Sequence, residues 1–285
     1  MNQHHFPSHP QGELILVLGA TDKTGRRIVT RLKALDQPIR IGSRSASPAF
    51  DWTQPTTWDS CLEGVAAVYI NYPSDLPIPG SAEIIAALVD RAKQHGVRRL
   101  VLLTGRGEPE PQVWEQHVKD SGLEWTIVRA SWFQQNFSEG AFAEMVQEGQ
   151  IVLSAGEIPE PFVHVDDIAD VAVAALTQPG HVGEVYEVTG PRLLTFAEVA
   201  AELSVATGRI IQYQQIPHQA LLTGLAESGA PQGVVWLLDY LFATVLDGRN
   251  AYLADGVQRA LGRPPKDFAV HAREVASTKT WRNVA

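Results

Sequence analysis

The sequence predicts an α/β protein, a doubly wound parallel sheet followed by a smaller C-terminal α/β domain, on three observations. Leu14–Leu18 is an unbroken apolar run without polar alternation, as expected of a strand covered on both faces. It passes through Gly19 and Gly25 directly into helical sequence, and strand-like and helical segments then alternate as far as residue 128. Beyond Arg129 that rhythm changes, which sets the later chain apart.

Each element follows from local pattern. Thr24 to Leu35 reads as a helix with Arg and Lys on its exposed side, and Ile39–Gly42 as the second strand. Strands are expected at 65–70, 99–103 and 124–128, separated by helices near 56–62, 82–95 and 113–120. Gly96 and Gly122 each follow a helix and precede a strand, where a left-handed stop is needed. A helix near 138–147 follows, then a strand at Ile151–Leu153 and a helix from Asp167 to Leu176 whose start Asp166 marks. Residues 183–188 read as another strand. Thr195-Phe-Ala-Glu198 has the capping-box pattern, so a helix should run to about Ala206. The segment 218–246, with Trp236, Tyr240 and Phe242, fits helices that line a cleft or simply pack in a core. A last helical region, 250–261, is stopped by Gly262-Arg-Pro-Pro265.

The opening turn has the geometry of a dinucleotide site. Gly19 permits a tight turn, and Gly25 permits close approach of the helix, whose free N–H groups would point at a pyrophosphate. Asp22 stands where the middle glycine of such a turn is expected. A carboxylate beside a pyrophosphate costs about 4 kcal/mol at 4 Å with an effective dielectric near 20. Lys23 and Arg26 are near enough in sequence to offset it, and capping the helix is the alternative task for Asp22. Arg44, just past the second strand, suits a ribose 2′-phosphate better than the carboxylate that favours NAD, so NADP(H) is the expected cofactor.

Composition bounds the function classes. With 23 Lys+Arg against 32 Asp+Glu the 285-residue chain has a formal charge of −9, which argues against nucleic-acid and anionic-membrane partners. One cysteine, Cys61, excludes an intrachain disulfide and a Cys-rich metal site and accords with a cytoplasmic location. The polar, Pro-bearing residues 1–12 read as a disordered lead-in, not a secretory signal, and their three histidines as an untethered terminus. No apolar run approaches membrane-spanning length. Metal-hydrolase and serine-nucleophile motifs are missing, and no metal site is expected.

Several blocks together resemble the NmrA-like family of the atypical short-chain dehydrogenase/reductase superfamily. They are Gly19-Ala-Thr-Asp-Lys-Thr-Gly25-Arg, Asp51-Trp52 with Thr57-Trp58, Gly64–Tyr69, and Glu115-x-x-Val118-x-x-Ser121-Gly-Leu123. The later blocks are Thr126-Ile-Val-Arg129 with Phe133 and Asn136, Phe162-Val-His-Val-Asp-Asp-Ile-Ala169, Tyr186-Glu-Val-Thr-Gly-Pro191 and Gly262-Arg-Pro-Pro265. The resemblance spans nearly the whole chain. It implies a Rossmann-type NADP-binding domain, 13–155 with returning segments near 162–190, and a domain mainly for substrate, 191–285. It further implies reduction of quinones, azo or triphenylmethane dyes or imines, or redox sensing without turnover.

In the extended members of the superfamily, a catalytic Tyr and Lys lie eight and four residues before the position of Glu115. Here those positions hold Gly107 and Pro111, so phenol-assisted carbonyl reduction is not expected. Hydride transfer to an acceptor that is already electrophilic remains. Ligands of open α/β sheets bind at strand C-terminal ends. The cofactor candidates are therefore Gly19, Thr21, Asp22, Lys23, Thr24, Gly25, Arg44, Tyr72, Pro73 and Thr104. Tyr72, Arg106 and His164 are the catalytic candidates, with Glu108 beside Arg106 available to orient a polar group. Trp132, Phe133, Asn136 and Trp236 are the substrate candidates. Glu157 and Glu160, flanking Pro159, read as solvated loop residues. A small-molecule substrate is expected, with a homo-oligomer or a regulatory protein partner left open. Two rivals to the reductase stand beside it: an NADP(H)-binding regulator without turnover, and a cofactor-independent cyclase or isomerase on the same scaffold, for which Asp22 is the motive.

Overall fold

The computed structural model describes residues 12–73, 80–140, 142–278, 280 and 281. The expected lead-in therefore lies almost wholly outside the described residues. Strands β1 (Leu14–Leu18), β2 (Ile39–Gly42), β3 (Val65–Ile70), β4 (Arg99–Gly105), β5 (Glu124–Ala130) and β7 (Glu184–Val188) form one sheet in the order β2-β1-β3-β4-β5-β7. The pairs β1–β2, β1–β3 and β3–β4 are parallel, with Ile15 opposite both Ile39 and Ala67. This is the Rossmann-like α/β fold that the sequence predicts. The strand order reverses at β1, and such sheets receive ligands beyond the C-terminal ends of the strands flanking the reversal.

The chain divides into two compact units, and several strands pass from one into the other along their length. The first contains residues up to Leu103, with Val113–Ile127 and Ala172–Glu184. Its core is built from β1, in which Leu16, Val17 and Leu18 are fully buried, and from helices that bury one face each. Helix α1 (Lys23–Ala34) turns Thr24, Gly25, Ile28 and Leu32 inward and places Arg31 and Lys33 in its last turn, where cations complement the helix dipole. A 3₁₀ turn at Pro55–Thr57 leads into α2 (Trp58–Leu62), and α3 (Ser81–Gln94) and α4 (Pro111–Lys119) follow. Gly96 and Gly122 take the left-handed backbone expected of them.

The second unit contains Thr104–Gln112, Val128–Val171 and the chain from Val185 on. Its core is strongly aromatic: Phe137, Phe162, Phe196 and Phe268 are buried together, with Trp132 and Phe242 packed among them. Helix α8 (Phe196–Thr207) begins with the expected capping box, Glu198 N–H donating to Thr195 Oγ1 at 3.1 Å and Thr195 N–H to Glu198 Oε2 at 2.7 Å.

Three expectations are corrected here, and one strand is added. The single helix over 138–147 is two, α5 (Asn136–Glu139) and α6 (Ala143–Glu148), separated at Gly140. Strand β6 (Gln150–Leu153) pairs in parallel with β8 (Gln212–Gln215), a strand of entirely polar-headed residues that has no hydrophobic pattern to announce it. Helix α7 begins at Val165 and runs to Thr177, so His164, not Asp166, stands at its entrance. The helix expected over 250–261 occupies only Gly256–Leu261 (α11), because Asn250 is drawn into a loop contact, its side chain donating to the Arg106 carbonyl at 3.1 Å. Residues 218–246 form α9 (His218–Glu227) and α10 (Gln232–Tyr240), the latter extended by a π turn at Leu241–Val245. A final helix, α12 (Phe268–Ser277), is capped by Asp267, which accepts from Ala269 N–H at 2.8 Å.

Candidate functional site

The glycine turn lies at the C-terminal end of β1. Gly19 has φ +68°, and a Cβ there would meet Asp22 Oδ2 at 2.8 Å and Asn71 Nδ2 at 2.9 Å. A Cβ at Gly25 would overlap the Gly19 carbonyl, so only glycine allows the helix to start this close to the strand. Asp22 occupies the N-cap position of α1 but makes no side-chain cap hydrogen bond. Its carboxylate is held from the side instead: Asn71, at the end of β3, donates to Asp22 Oδ2 at 3.1 Å and approaches Thr24 Oγ1 at 3.5 Å. Tyr69 donates its hydroxyl to the same Thr24 oxygen at 3.1 Å. Partial burial raises the Asp22 carboxyl above its ordinary value, and Lys23 and Arg26 pull it back down. Asp22 therefore neither caps the helix nor stands uncompensated, and Asn71, one residue past β3, supplies its donor.

Beside β2 runs a groove of about 650 Å³ lined by Thr21, Ile41, Ser43, Ser45 and Ala46. Arg44 sits between two of those serines, exposed, with its charge felt by Asp51. Tyr72 is buried in an aromatic cluster, edge-on to Trp52 at 4.9 Å and tilted on Trp114 at 5.5 Å. Burial raises its phenol pKa, which leaves it a weaker acid. The Asp51-Trp52 and Thr57-Trp58 blocks are structural: the Trp58 indole N–H donates to the Asp51 carbonyl at 2.8 Å, and Asp51 N–H to Thr57 Oγ1 at 3.0 Å. Pro73 borders residues 74–79, which lie outside the described residues.

In the second unit Arg106 is held on all sides. Its Nε donates to Glu187 at 3.1 Å, Nη1 to the Asn250 carbonyl at 2.9 Å and Ser131 Oγ at 3.4 Å, and Nη2 to the Tyr252 carbonyl at 3.0 Å. The guanidinium also lies 3.8 Å from the Tyr252 ring centroid. Arg129 reaches Glu187 as well, at 3.4 Å. A cleft of about 160 Å³ opens among Arg106, Glu108, Arg129, Glu187 and Arg249. Gly107 has φ +77°, and a Cβ there would overlap the Asn250 amide, so no tyrosine side chain fits at the first dyad position; Pro111 opens α4 at the second.

Glu160 is corrected most sharply. Glu157 is exposed as expected, but Glu160 is 0 % exposed and neither carboxyl oxygen has a hydrogen-bond partner among the described residues. An antiparallel bridge with Leu194 turns the segment inward, the two backbones exchanging hydrogen bonds of 2.9 and 3.0 Å. Burial raises the Glu160 carboxyl to about 7, against the pull of the Arg106 charge and with a contribution from Asp247. The signal in the sequence was Pro159-Glu160-Pro161 running into Phe162-Val163: prolines on both sides favour extended backbone that leads into an apolar strand.

The remaining candidates are dispersed through the second unit. His164 is buried, its Nδ1 accepting from Asp166 N–H at 3.0 Å, while Gln135 accepts from Val165 N–H at 2.9 Å and approaches His164 Nε2 at 2.8 Å. The pair satisfies the first N–H groups of α7, a helix-entry task. Trp132 is half-buried among Phe142, Phe196 and Phe242, with ring centroids 6.4, 5.7 and 5.4 Å away. Phe133 bridges Val163, Asn136 opens α5, and Thr104 is buried near the end of β4. Trp236 is 40 % exposed and stacks on Tyr240, whose hydroxyl donates to Glu110 at 2.5 Å. Two family-like blocks meet: Arg263 of Gly262-Arg-Pro-Pro pairs with Asp167 at 2.6 Å and Asp170 at 2.5 Å. No helix among the described residues is long and apolar enough to cross a membrane.

Residues 19–179 match a family described as NAD(P)H-binding. The chain is 33 % identical over 286 residues to an NAD(P)H azoreductase from Xenophilus azovorans, covering 93 % of this chain and 98 % of that one. Two solved structures share the fold. An NADPH-dependent quinone oxidoreductase from Escherichia coli, complexed with NADPH, superposes with a TM-score of 0.79 at 20 % identity, over 92 % of this chain and 99 % of that one. NmrA, a negative transcriptional regulator in complex with NADP, gives 0.74 at 16 % identity, over 96 % and 98 %.

Proposed function

The chain belongs to the NAD(P)H-binding family, and on that footing we propose that it is an NADP(H)-dependent reductase of the NmrA-like kind, acting on electrophilic conjugated or iminium- and quinone-like small molecules. The observation that carries the proposal is the Asn71–Asp22 bond, which keeps the one unfavourable side chain of the glycine turn off the helix cap. The N-terminus of α1 is then an anion site with its donors uncapped by Asp22, and Gly19, Thr21, Lys23, Thr24 and Gly25 are the residues that would hold the phosphates. Arg44, exposed beside the groove along β2, would select the 2′-phosphate, and Tyr72 and Pro73 would wall the site.

When bound, the dinucleotide supplies a hydride. The chain offers no phenol–lysine relay at Gly107 and Pro111, so its own residues would position the acceptor, not activate it by proton transfer. Trp132, half-buried in an aromatic surround, suits a flat conjugated acceptor. Kinship to an azoreductase supports this acceptor class.

Nicotinamide fluorescence on titration with NADPH and NADH, followed by cofactor oxidation against a quinone, an azo dye and a cyclic iminium, tests the proposal. Binding of NADPH with turnover of at least one acceptor is expected, and R44A should weaken NADPH about tenfold while leaving NADH unmoved. Binding without any turnover would favour a redox-sensing regulator; no binding at millimolar cofactor would favour a cofactor-independent scaffold. Either result overturns the reductase.

A further inference from the structure

The chain has a formal charge of −9, yet one cavity of its second unit has cations and no acid among its described walls. The cavity measures about 640 Å³ and is walled mainly by Ala206 and Thr207 at the end of α8, Arg273 and Ala276 of α12, and Arg209 and Trp281. Neither arginine is spent on a carboxylate. Arg209 donates Nη1 to the Gln147 carbonyl at 2.7 Å and Nη2 to the Val146 carbonyl, which fixes its guanidinium against the last turn of α6. Arg273 is exposed and forms no hydrogen bond or close ion pair among the described residues. The acids around it are taken: Asp267, on which its charge acts, accepts from Arg192 at 2.6 and 2.8 Å, and Glu274 pairs with Lys266 at 2.6 Å.

The remaining wall is largely apolar. Ala206 and Ala276 are small side chains that leave room, and Trp281 is a buried ring held in place by its N–H, which donates to the Phe137 carbonyl at 2.7 Å. A volume of this size, apolar walls and a few convergent polar groups are the properties of a small-molecule site. A cleft lined by one sign of charge concentrates ligands of the other, and guanidinium groups match the paired oxygens of phosphates and carboxylates.

We propose that this cavity binds a small organic anion, an oxyanion carried on a flat apolar body, with Arg209 and Arg273 facing the charged group and Ala206, Ala276 and Trp281 facing the body. The site is additional to the one that would hold the dinucleotide. Its lining residues all belong to the second unit, and none belongs to the glycine turn or to the groove along β2. It does not rest on the reductase reading.

Calorimetric titration of the full chain with phenyl phosphate, benzoate, inorganic phosphate and phenol, each with and without saturating NADPH, tests the proposal. The better of the two aryl anions should bind at least tenfold more tightly than inorganic phosphate and phenol, because only the aryl anions use both the charged and the apolar wall; which of them is better names the oxyanion. R273A should weaken it at least tenfold and R273K less. A276F, which fills the cavity without changing its charge, should abolish binding, and circular dichroism checks that each variant folds. R44A and added NADPH should leave the affinity within twofold. Inorganic phosphate binding as tightly as the aryl anions, or R273A binding like the wild type, would mean an adventitious ion only. Phenol binding as tightly as phenyl phosphate removes the charged half of the site, and a loss in R44A or on adding NADPH moves the anion to the dinucleotide site. Each of these results overturns the proposal, as does the lack of any binding at millimolar aryl anion. A chain that binds no NADPH loses the reductase reading and leaves this test intact.

Discussion

The glycine turn of the first unit and the polar interior of the second each contain a carboxylate in a place where charge is costly, and they treat it in opposite ways. Asp22 has a neutral amide donor from Asn71 and two cations nearby in Lys23 and Arg26. Glu160 has no donor among the described residues, and Arg106, whose charge acts on it, is engaged elsewhere. A compensated acid can stay charged at neutral pH and be tolerated in a working turn. An uncompensated one favours its neutral form. The contrast also separates two arginines that look equally available in the sequence: Arg44 is exposed with no buried task, whereas Arg106 is a buried tie among three segments of its unit.

The largest expected effect is R106A. Removing the guanidinium leaves the Asn250 and Tyr252 carbonyls without their donor while Glu187 keeps Arg129 and the Tyr252 hydroxyl, and two buried unsatisfied groups at about 1–3 kcal/mol each put the loss at about 3 kcal/mol or more; urea unfolding followed by circular dichroism measures it. A loss below 1 kcal/mol would remove the structural role and return Arg106 to the pool of ligand-binding candidates.

Next comes the pH dependence of Glu160. Its folded value is raised from 4.5 to about 7, so ionisation is disfavoured in the folded state. Below pH 4.5 the group is protonated folded and unfolded, and contributes nothing. Between pH 4.5 and 7 stability falls as pH rises, and above 7 the full penalty remains, at most about 3 kcal/mol for a shift of this size. E160Q removes the titration, so its urea midpoint should match the wild type near pH 4 and exceed it at pH 8. A wild type as stable at pH 8 as its variant would mean that Glu160 finds a partner in solution, and the contrast with Asp22 would vanish.

In the first unit the expected effects are smaller. N71A frees the Asp22 carboxylate toward the helix terminus and should weaken NADPH five- to tenfold, roughly the worth of one charge-assisted hydrogen bond, about 1.5 kcal/mol. D22G should tighten NADPH about threefold, and in that background N71A should have little effect. Equal losses from N71A with and without Asp22 would show that Asn71 acts through Thr24 or directly, a distinction that a double-mutant cycle measures.

Much of the first unit was legible because its elements are local. Leu14–Leu18 could only be a covered strand, Gly19 and Gly25 could only be a tight strand-to-helix turn, and Thr195 with Glu198 was a cap by chemistry alone. Polar β8 escaped because a strand paired with a single neighbour needs no apolar period. His164 drew attention as an acid–base residue, yet it lies buried at the start of α7 beside Gln135, a partner 29 residues away that no local pattern connects to it.

The sequence by itself determined the order of elements, the glycine turn, the substitution of Asp22 and the loss of the tyrosine and lysine positions, since each is a matter of residue type at a short spacing. The tertiary structure alone decided where the charges go. Asn71 reaches Asp22 across 49 residues, Arg106 reaches Asn250 across 144, and Glu160 is sealed by a bridge to Leu194. Whether a carboxylate is solvated, paired or stranded depends on which distant segment folds over it, and burial and hydrogen bonding are properties of that packing, not of the local chain.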